Sequence, residues 1–152
     1  MQKFSLEATA RELLERARSG SGGRAATTVI GGHEKVLRQT VIAMVNGAPL
    51  AEHENSGEAS VHVLAGRVRL TAGQHSWEGR RGDLLMVPAA SHSLAALEDS
   101  AVLLTVAKLV LSAGIPAAAS SSSTRAAVRT APNDMDATAM LFERHERGIH
   151  AL

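Results

Sequence analysis

The sequence predicts an all-β fold, an antiparallel β-barrel with an N-terminal helix before it and a C-terminal helical arm after it. The barrel is indicated by residues 27–111, where short β-rich segments alternate with Gly, Pro and Asn turn signals. The helix is indicated by apolar residues that recur at spacings of three and four within residues 6–17. The arm is indicated by a change to a Ser- and Ala-rich composition after Leu111.

The first element is an amphipathic helix that Ser5 can cap and that begins at Leu6. Its apolar positions form one stripe, which consists of Leu6, Ala10, Leu13, Leu14 and Ala17. Glycines from position 20 onward end the helix, so residues 1–26 are assigned to the helix and its lead-in to the barrel. We interpret this helix as a flap that packs on the barrel or on a second subunit.

The barrel, residues 27–111, is predicted to contain nine strands because turn signals divide it into nine short segments. The segments lie near residues 27–30, 36–45, 49–54, 58–65, 67–72, 75–79, 83–87, 92–97 and 101–109. The last segment is apolar on both faces. We therefore expect one of its faces to line the lumen and the other to lie under a second layer.

The chain after the barrel divides into two parts. Residues 112–132 show no periodicity and are predicted to form a Ser/Ala-rich linker. Residues 133–152 are predicted to contain a helix with Met135, Met140 and Leu141 toward one side. Because a short amphipathic helix is not stable alone in water, we expect it to dock on the barrel or on a partner subunit.

Composition and charge argue against several classes of function. At 152 residues the chain is most simply one domain with its own core. The net charge of +1 gives no electrostatic footprint for nucleic acid or an anionic membrane. The sequence has no Cys for disulfides or thiolate chemistry, and no segment typical of a secretory signal or a membrane span. We expect a cytoplasmic protein without nucleic-acid or membrane partners.

Residues 47–66, GAPLAEHENSGEASVHVLAG, resemble the first motif of the cupin superfamily, whose members are small antiparallel β-barrels of the jelly-roll kind. That motif runs Gly, five residues, His, any residue, His, three or four residues, Glu, six residues and Gly. Gly47, His53 and the final Gly keep the spacing. Asn55 stands at the second His position and Ala59 at the Glu position.

Residues 82–94, GDLLMVPAASHSL, resemble the second cupin motif. That motif runs Gly, five residues, Pro, any residue, Gly, two residues, His, three residues and Asn. Gly82 and Pro88 fit this spacing, Ala90 stands at the second Gly, and His92 comes one residue early. An Ala occupies the place of the motif's Asn.

The resemblance covers about residues 36–109 and extends to small single-domain bacterial cupins with an RmlC-like barrel. It implies a jelly-roll fold for the all-β core. In cupins the second layer over a strand that is apolar on both faces is often a neighbouring subunit. The segment at residues 101–109 therefore suggests a homodimer.

The resemblance also implies where a site would lie. His53 and His92 match positions of cupin metal ligands, which neighbouring strands project into the lumen. Asn55 follows His53 by two residues and is expected on the same face. Together with Gln39 these residues form the candidate ligand-binding set, and no catalytic residue is assigned.

Gln39 enters this set because it interrupts an apolar run, VLRQTVIAMV, within residues 36–45. Its neighbours Arg38 and Thr40 are also polar, so any of the three could give the lumen a polar contact. An exposed position for Arg38 is the alternative.

A divalent transition metal such as Fe, Mn, Ni or Zn is the cofactor that the family resemblance suggests at His53 and His92. Such sites use three or four ligands, and two of the family's positions are replaced here. His62 and Glu58 do not restore the set, because their spacing from Ala59 places them on the opposite face of the strand. We therefore expect no tightly bound metal.

Two functions are consistent with these residues, and a third interpretation is structural. The first is binding of a small molecule in the barrel lumen, with no specific activity assigned. The alternative is a metal-dependent cupin enzyme of the dioxygenase or isomerase type, with His53 and His92 as ligands. The structural interpretation is a barrel that serves only for oligomerisation. The sequence contains no nucleophile-elbow, phosphate-loop or dinucleotide-binding motif.

Overall fold

The computed structural model describes residues 1–55 and 57–109, which form one helix and nine strands. In chain order they are α1 (Leu6–Ser19), β1 (Arg24–Ile30), β2 (Leu37–Met44), β3 (Pro49–His53), β4 (Glu58–Ala65), β5 (Arg67–Ala72), β6 (His75–Arg80), β7 (Leu84–Val87), β8 (His92–Ala96) and β9 (Ser100–Ala107). Each strand lies at its predicted place, although the first begins at Arg24 instead of residue 27. The predicted linker, residues 112–132, and C-terminal helix, residues 133–152, lie outside the described residues.

The strands form two antiparallel sheets that face each other. The first sheet has the order β1-β2-β9-β4-β7, and the second has the order β3-β8-β5-β6. Neighbours in both orders are mostly distant in sequence, since the chain crosses repeatedly from one sheet to the other, as in a jelly roll. The all-β prediction is confirmed.

The space between the sheets, which we call the lumen, is filled by apolar side chains over much of its length. These side chains come from alternate positions of each strand, because neighbouring residues of a strand point to opposite faces. On β2, for example, Ile42 and Met44 face the lumen. The buried lumen residues are Ile42, Met44, Leu50, Ala59, Val61, Val63, Val68, Leu70, Val87, Leu94, Ala96, Val102 and Val106.

Helix α1 packs on the outer face of the first sheet. Its buried residues Ala10, Leu13 and Ala17 contact a second apolar cluster, to which the sheet contributes Ala25, Val41, Ala43, Ala101 and Leu103. The helix is capped as predicted, since the Ser5 hydroxyl accepts a hydrogen bond of 3.3 Å from the Ala8 amide. The flap therefore packs on its own barrel. The helix also forms the second layer over the first half of β9. The family resemblance suggested a neighbouring subunit at this place.

Within residues 1–55 and 57–109, no helix is long and apolar enough to cross a membrane.

Candidate functional site

The cupin-like motifs meet at one end of the barrel, which we call the histidine end. Strands β2, β4, β6 and β8 begin there, and β3, β5, β7 and β9 end there. The short connections from β3 to β4 and from β7 to β8 join the two sheets at this end. The motif residues therefore come together although about forty residues separate them.

His53 and His92 lie side by side at the histidine end. They are paired across β3 and β8, and their ring centroids are 4.5 Å apart with the planes inclined by 59°. His92 is only 3% exposed and lies on the same face as Leu94, a lumen residue. A register shift between Leu50 and His53 adds one residue to β3. This bulge brings His53 level with His92.

Each imidazole is held by the same kind of contact, from Nδ1 to the backbone carbonyl oxygen two residues earlier. The Nδ1 atom of His53 lies 2.8 Å from the Ala51 carbonyl oxygen, and that of His92 lies 2.8 Å from the Ala90 carbonyl oxygen. A carbonyl oxygen can only accept, so each Nδ1 carries the proton. In the neutral ring Nε2 is then left with its lone pair, and can accept a hydrogen bond or bind a metal.

Burial favours the neutral form of His92. Desolvation lowers the pKa of the His92 imidazole below its ordinary value, and the nearby His53 lowers it further. The hydrogen bond to the Ala90 carbonyl opposes this shift but is the smaller effect. At neutral pH the site therefore presents the Nε2 of His92 as an acceptor.

Asn55 is a buried amide with one unsatisfied donor. The residue is 7% exposed, and its Oδ1 accepts a hydrogen bond of 3.3 Å from the Gly57 amide. Its Nδ2 is buried and finds no acceptor among the described residues. A buried donor without a partner costs about 1–3 kcal/mol. Asn55 lies in the connection from β3 to β4, so this donor is at the histidine end.

The position of the cupin motif's Glu is occupied by a small side chain. Ala59 is 5% exposed and faces the lumen, between Val87 on one neighbouring strand and Val106 on the other. His62 lies on the opposite face of β4, opposite the exposed Leu84 of β7. The histidine end therefore lacks the carboxylate of the motif at this place.

One edge of the lumen carries an aromatic residue. Trp77 is paired with Leu70 across β5 and β6, and because Leu70 belongs to the lumen, Trp77 is on the inner face too. The side chain is nevertheless 47% exposed, since β6 is an edge strand. The His75 ring, on the same face, lies 6.2 Å from the Trp77 ring between centroids.

Comparison with known proteins agrees with this architecture. No protein-family model matches the chain, and no curated protein matches it. Solved structures do match. A conserved protein of unknown function from Streptococcus pyogenes, SPY1581, is 26% identical, with a TM-score of 0.54 over 60% of this chain and 79% of that one. A cupin superfamily protein from Desulfitobacterium hafniense is 19% identical, with a TM-score of 0.52 over 56% and 77% of the two chains.

An RmlC-like cupin from Desulfovibrio desulfuricans is also similar, with 24% identity and a TM-score of 0.50 over 55% of this chain and 81% of that one. This chain has the cupin fold. The jelly-roll prediction is thereby confirmed, and the family's motif positions can be compared with the side chains that occupy them here.

Gln39 does not join the cupin lumen. It lies on the outer face of the first sheet, where its Nε2 donates a hydrogen bond of 3.1 Å to the Thr105 hydroxyl of β9. The reason is the two-residue period of β2, which places Gln39 with Val41 and Ala43 under the helix side. The same period places Arg38 on the inner face. Gln39 therefore lies outside the lumen, contrary to the expectation from the sequence.

The side chains of this protein do not fit a complete metal site. The described part of the chain contains no group of three or more His, Cys, Asp or Glu residues that could hold a metal ion. His53 and His92 can offer two Nε2 atoms, but Ala59 replaces the carboxylate of the motif. Catalytic metal sites usually have three protein ligands. We therefore derive no chemistry that passes through a metal.

Proposed function

We propose that this cupin-fold protein binds a small organic molecule at the histidine end of the lumen. The observation that carries the proposal is the pair of imidazoles, each fixed by a 2.8 Å contact from Nδ1 to a backbone carbonyl oxygen. Both rings then present Nε2 as an acceptor. A ligand that donates hydrogen bonds, such as an alcohol or a phenol, is complementary to this pair.

The location of the ligand follows from the packing of the lumen. Side chains such as Met44, Val63 and Val102 are fully buried and occupy the part of the lumen farther from the histidine end. Ala59, in contrast, is a small residue at the place where the cupin motif has Glu. The proposed ligand therefore lies near Ala59, at the histidine end, and does not extend through the barrel.

Phenol binding tests this proposal most directly. The two-dimensional NMR signals of the histidine rings are recorded during a titration with phenol, for the wild type and for His53→Ala and His92→Ala. Signals of His53 and His92 should shift in the wild type, and binding should weaken about fivefold in either variant, since one neutral hydrogen bond is worth about 1 kcal/mol. His62→Ala is the matched control, because His62 lies on the outer face of β4.

Two results contradict the proposal. One is phenol binding that is unchanged in both histidine variants. The other is a wild type in which saturating phenol shifts no signal of either ring.

The metal-dependent enzyme, of dioxygenase or isomerase type, is the second candidate. It is supported by the tautomer of His53 and His92, since metal-bound imidazoles usually donate their other N–H to a carbonyl or carboxylate. Elemental analysis of protein purified without a metal-affinity tag distinguishes the two candidates. Near-stoichiometric metal that is lost in both histidine variants would favour the metal-dependent enzyme. The same result would overturn the proposal that the histidine pair only binds a small organic molecule.

Homodimer formation, a cytoplasmic location and the lack of nucleic-acid or membrane partners stay predictions from the sequence. Light scattering on the purified chain measures the first of them.

A further inference from the structure

We propose that the segment at residues 133–152 packs on the outer face of the first sheet of its own chain, on the part that helix α1 leaves open. We call this part the open half. It is formed by the outward-pointing residues of 37–39 on β2, 105–107 on β9, 58–62 on β4 and 84–86 on β7. The proposal is independent of the ligand proposed for the histidine end.

Helix α1 covers only the part of the outer face that is farther from the histidine end. Val41 of β2 and Leu103 of β9 are paired, and both belong to the apolar cluster beneath the helix. The next two outward rows toward the histidine end, which begin at Gln39 and Leu37 on β2, contribute no residue to this cluster. In residues 1–55 and 57–109, α1 is the only helix that could lie over these rows.

The open half carries large apolar side chains that are exposed. Leu84 is 61% exposed and Met86 is 70% exposed. Both point outward from β7, because the alternate residues Leu85 and Val87 pack in the lumen. Leu37, on the opposite side of the open half, is 43% exposed. Apolar side chains that are exposed together in one region are typical of a contact surface.

The centre of the open half is neutral and already hydrogen-bonded. The Nε2 of Gln39 donates a hydrogen bond of 3.1 Å to the Thr105 hydroxyl. Because these two groups bond to each other, an apolar segment that packs over them buries fewer unpaired polar groups. The carboxylate of the open half, that of Glu58, lies at the rim, on the first residue of β4. The surface therefore suits an apolar occupant.

The size of the open half favours a tethered occupant over a second folded copy. From β2 to β7 the face crosses three strand spacings, about 14 Å, and four residues along β2 span about 13 Å. A stable interface between separate molecules buries about 800 Å² on each partner, which is several times this surface. A tethered segment needs less contact, because tethering gives an effective concentration in the millimolar range.

Residues 133–152 are tethered at the end of the barrel where the open half lies. Strand β9 ends at Ala107, at the histidine end, and the chain continues from there. Residues 110–132 would span more than about 60 Å if extended, so they allow the segment to reach every part of the open half. The predicted helix, taken as residues 134–147, would be about 21 Å long, enough to cross from β2 to β7.

The segment also carries apolar side chains that need a partner. Met135 and Phe142 are seven residues apart and therefore lie on one face of the predicted helix. A helix of this length is not stable alone in water, and packing of its apolar face would stabilise it. Helix α1 already packs on the neighbouring half of the same face through Leu13. The two halves would thus be covered in the same way.

Paramagnetic relaxation in NMR tests the proposal on the full-length chain. Because the sequence has no Cys, Arg144→Cys provides a single site for a nitroxide label, on a different helix face from Phe142. The amide signals of Leu84 and Met86 should lose most of their intensity compared with the reduced label. Those of Arg69 and Glu78 should change little, because this pair lies on the outer face of the second sheet.

Two controls define which contact causes the loss. Isotope-labelled protein mixed with spin-labelled protein of natural isotope composition should keep its Leu84 signal, because the segment packs on its own chain. Adding Met86→Lys to the spin-labelled chain should restore the Leu84 signal. Trp77→Lys is the matched control, because Trp77 is a half-exposed apolar residue on the second sheet, and the loss should persist in it. Thermal unfolding of each variant verifies that it is folded.

Three results would overturn the proposal. The first is full intensity of Leu84 and Met86 in the spin-labelled chain. The second is an equal loss of intensity in the mixed sample, which would show that the segment of a second copy covers the face. The third is a loss that is as large with Met86→Lys as with Trp77→Lys. None of them bears on phenol binding by the histidine pair, so the proposed function is tested separately.

Discussion

The contact between helix α1 and the barrel can be tested by Leu13→Ala. Leu13 is 2% exposed and lies in the cluster between the helix and the outer face of the first sheet. The sheet side of the cluster includes the small residues Ala43 and Ala101, and the other face of these strands is packed in the lumen. The cavity left by the substitution can therefore collapse only in part, which makes the cost larger than the transfer of the lost carbons alone.

We expect the free energy of unfolding to fall by about 3 kcal/mol, within the range of 2–5 kcal/mol that is common for buried Leu→Ala changes. Alanine is the better helix former, so the loss must come from packing. For a domain of this size the melting temperature should fall by about 6–12 °C. Circular dichroism during heating and urea unfolding measure both quantities.

Leu14→Ala is the matched control, because Leu14 is adjacent in the same helix but only half-buried. It should cost clearly less than Leu13→Ala. A loss below about 1 kcal/mol for Leu13→Ala, or equal losses for the two variants, would refute the docking of this helix face on the sheet.

Two further predictions concern the site and the barrel core. Because the pKa of His92 is lowered by folding, the unfolded chain takes up this proton first, so stability should be highest above about pH 6.5 and should fall as the pH decreases toward the folded-state pKa. Urea unfolding at several pH values measures this effect. The free energy of unfolding should depend less on pH in His92→Phe than in His33→Gln, a control at an exposed position. An equal pH dependence in the two variants would contradict the assignment of the effect to His92. Ser100→Ala should cost about 1–3 kcal/mol, because the fully buried hydroxyl accepts from the Arg67 amide at 3.0 Å and that donor would lose its partner. Chemical unfolding measures this loss, with Ser93→Ala at a half-buried position as the control. A loss of stability in Ser100→Ala no greater than in Ser93→Ala would be inconsistent with the hydrogen bond between Arg67 and Ser100.

The strands were predictable because each is short and bounded by residues with turn chemistry. Gly66, for example, has a φ of 73°, and a Cβ there would clash with the Asp99 carbonyl oxygen. A turn of this kind can be recognised in the sequence, because it requires a glycine. The histidine pair was predictable for a different reason, since the cupin spacing identifies His53 directly and His92 with a shift of one residue.

The inner face of β2 was not predictable from the sequence. Alternation identifies a lumen face only when the other face is polar. Helix α1 covers the outer face of β2, so Val41 and Ala43 are as apolar as Ile42 and Met44. The polar triplet at residues 38–40 does not show which of its members faces inward, and only the pairing with β9 places Arg38 on the inner face and Gln39 on the outer one. The bulge that brings His53 level with His92 was equally invisible, because it depends on pairing with β8.

The position of Trp77 gives the protein an intrinsic optical probe. The chain has one Trp and no Tyr, so its near-ultraviolet emission comes from a single fluorophore. The Trp77 indole is half-exposed on the inner face of the edge strand β6, and the His75 ring lies next to it. A molecule that entered beside it would displace water from the indole and move the emission to shorter wavelength. A compound library can therefore be screened with unlabelled protein in a plate reader by the wavelength of the Trp77 emission. Such a screen needs no assumption about the chemistry of the compound that binds.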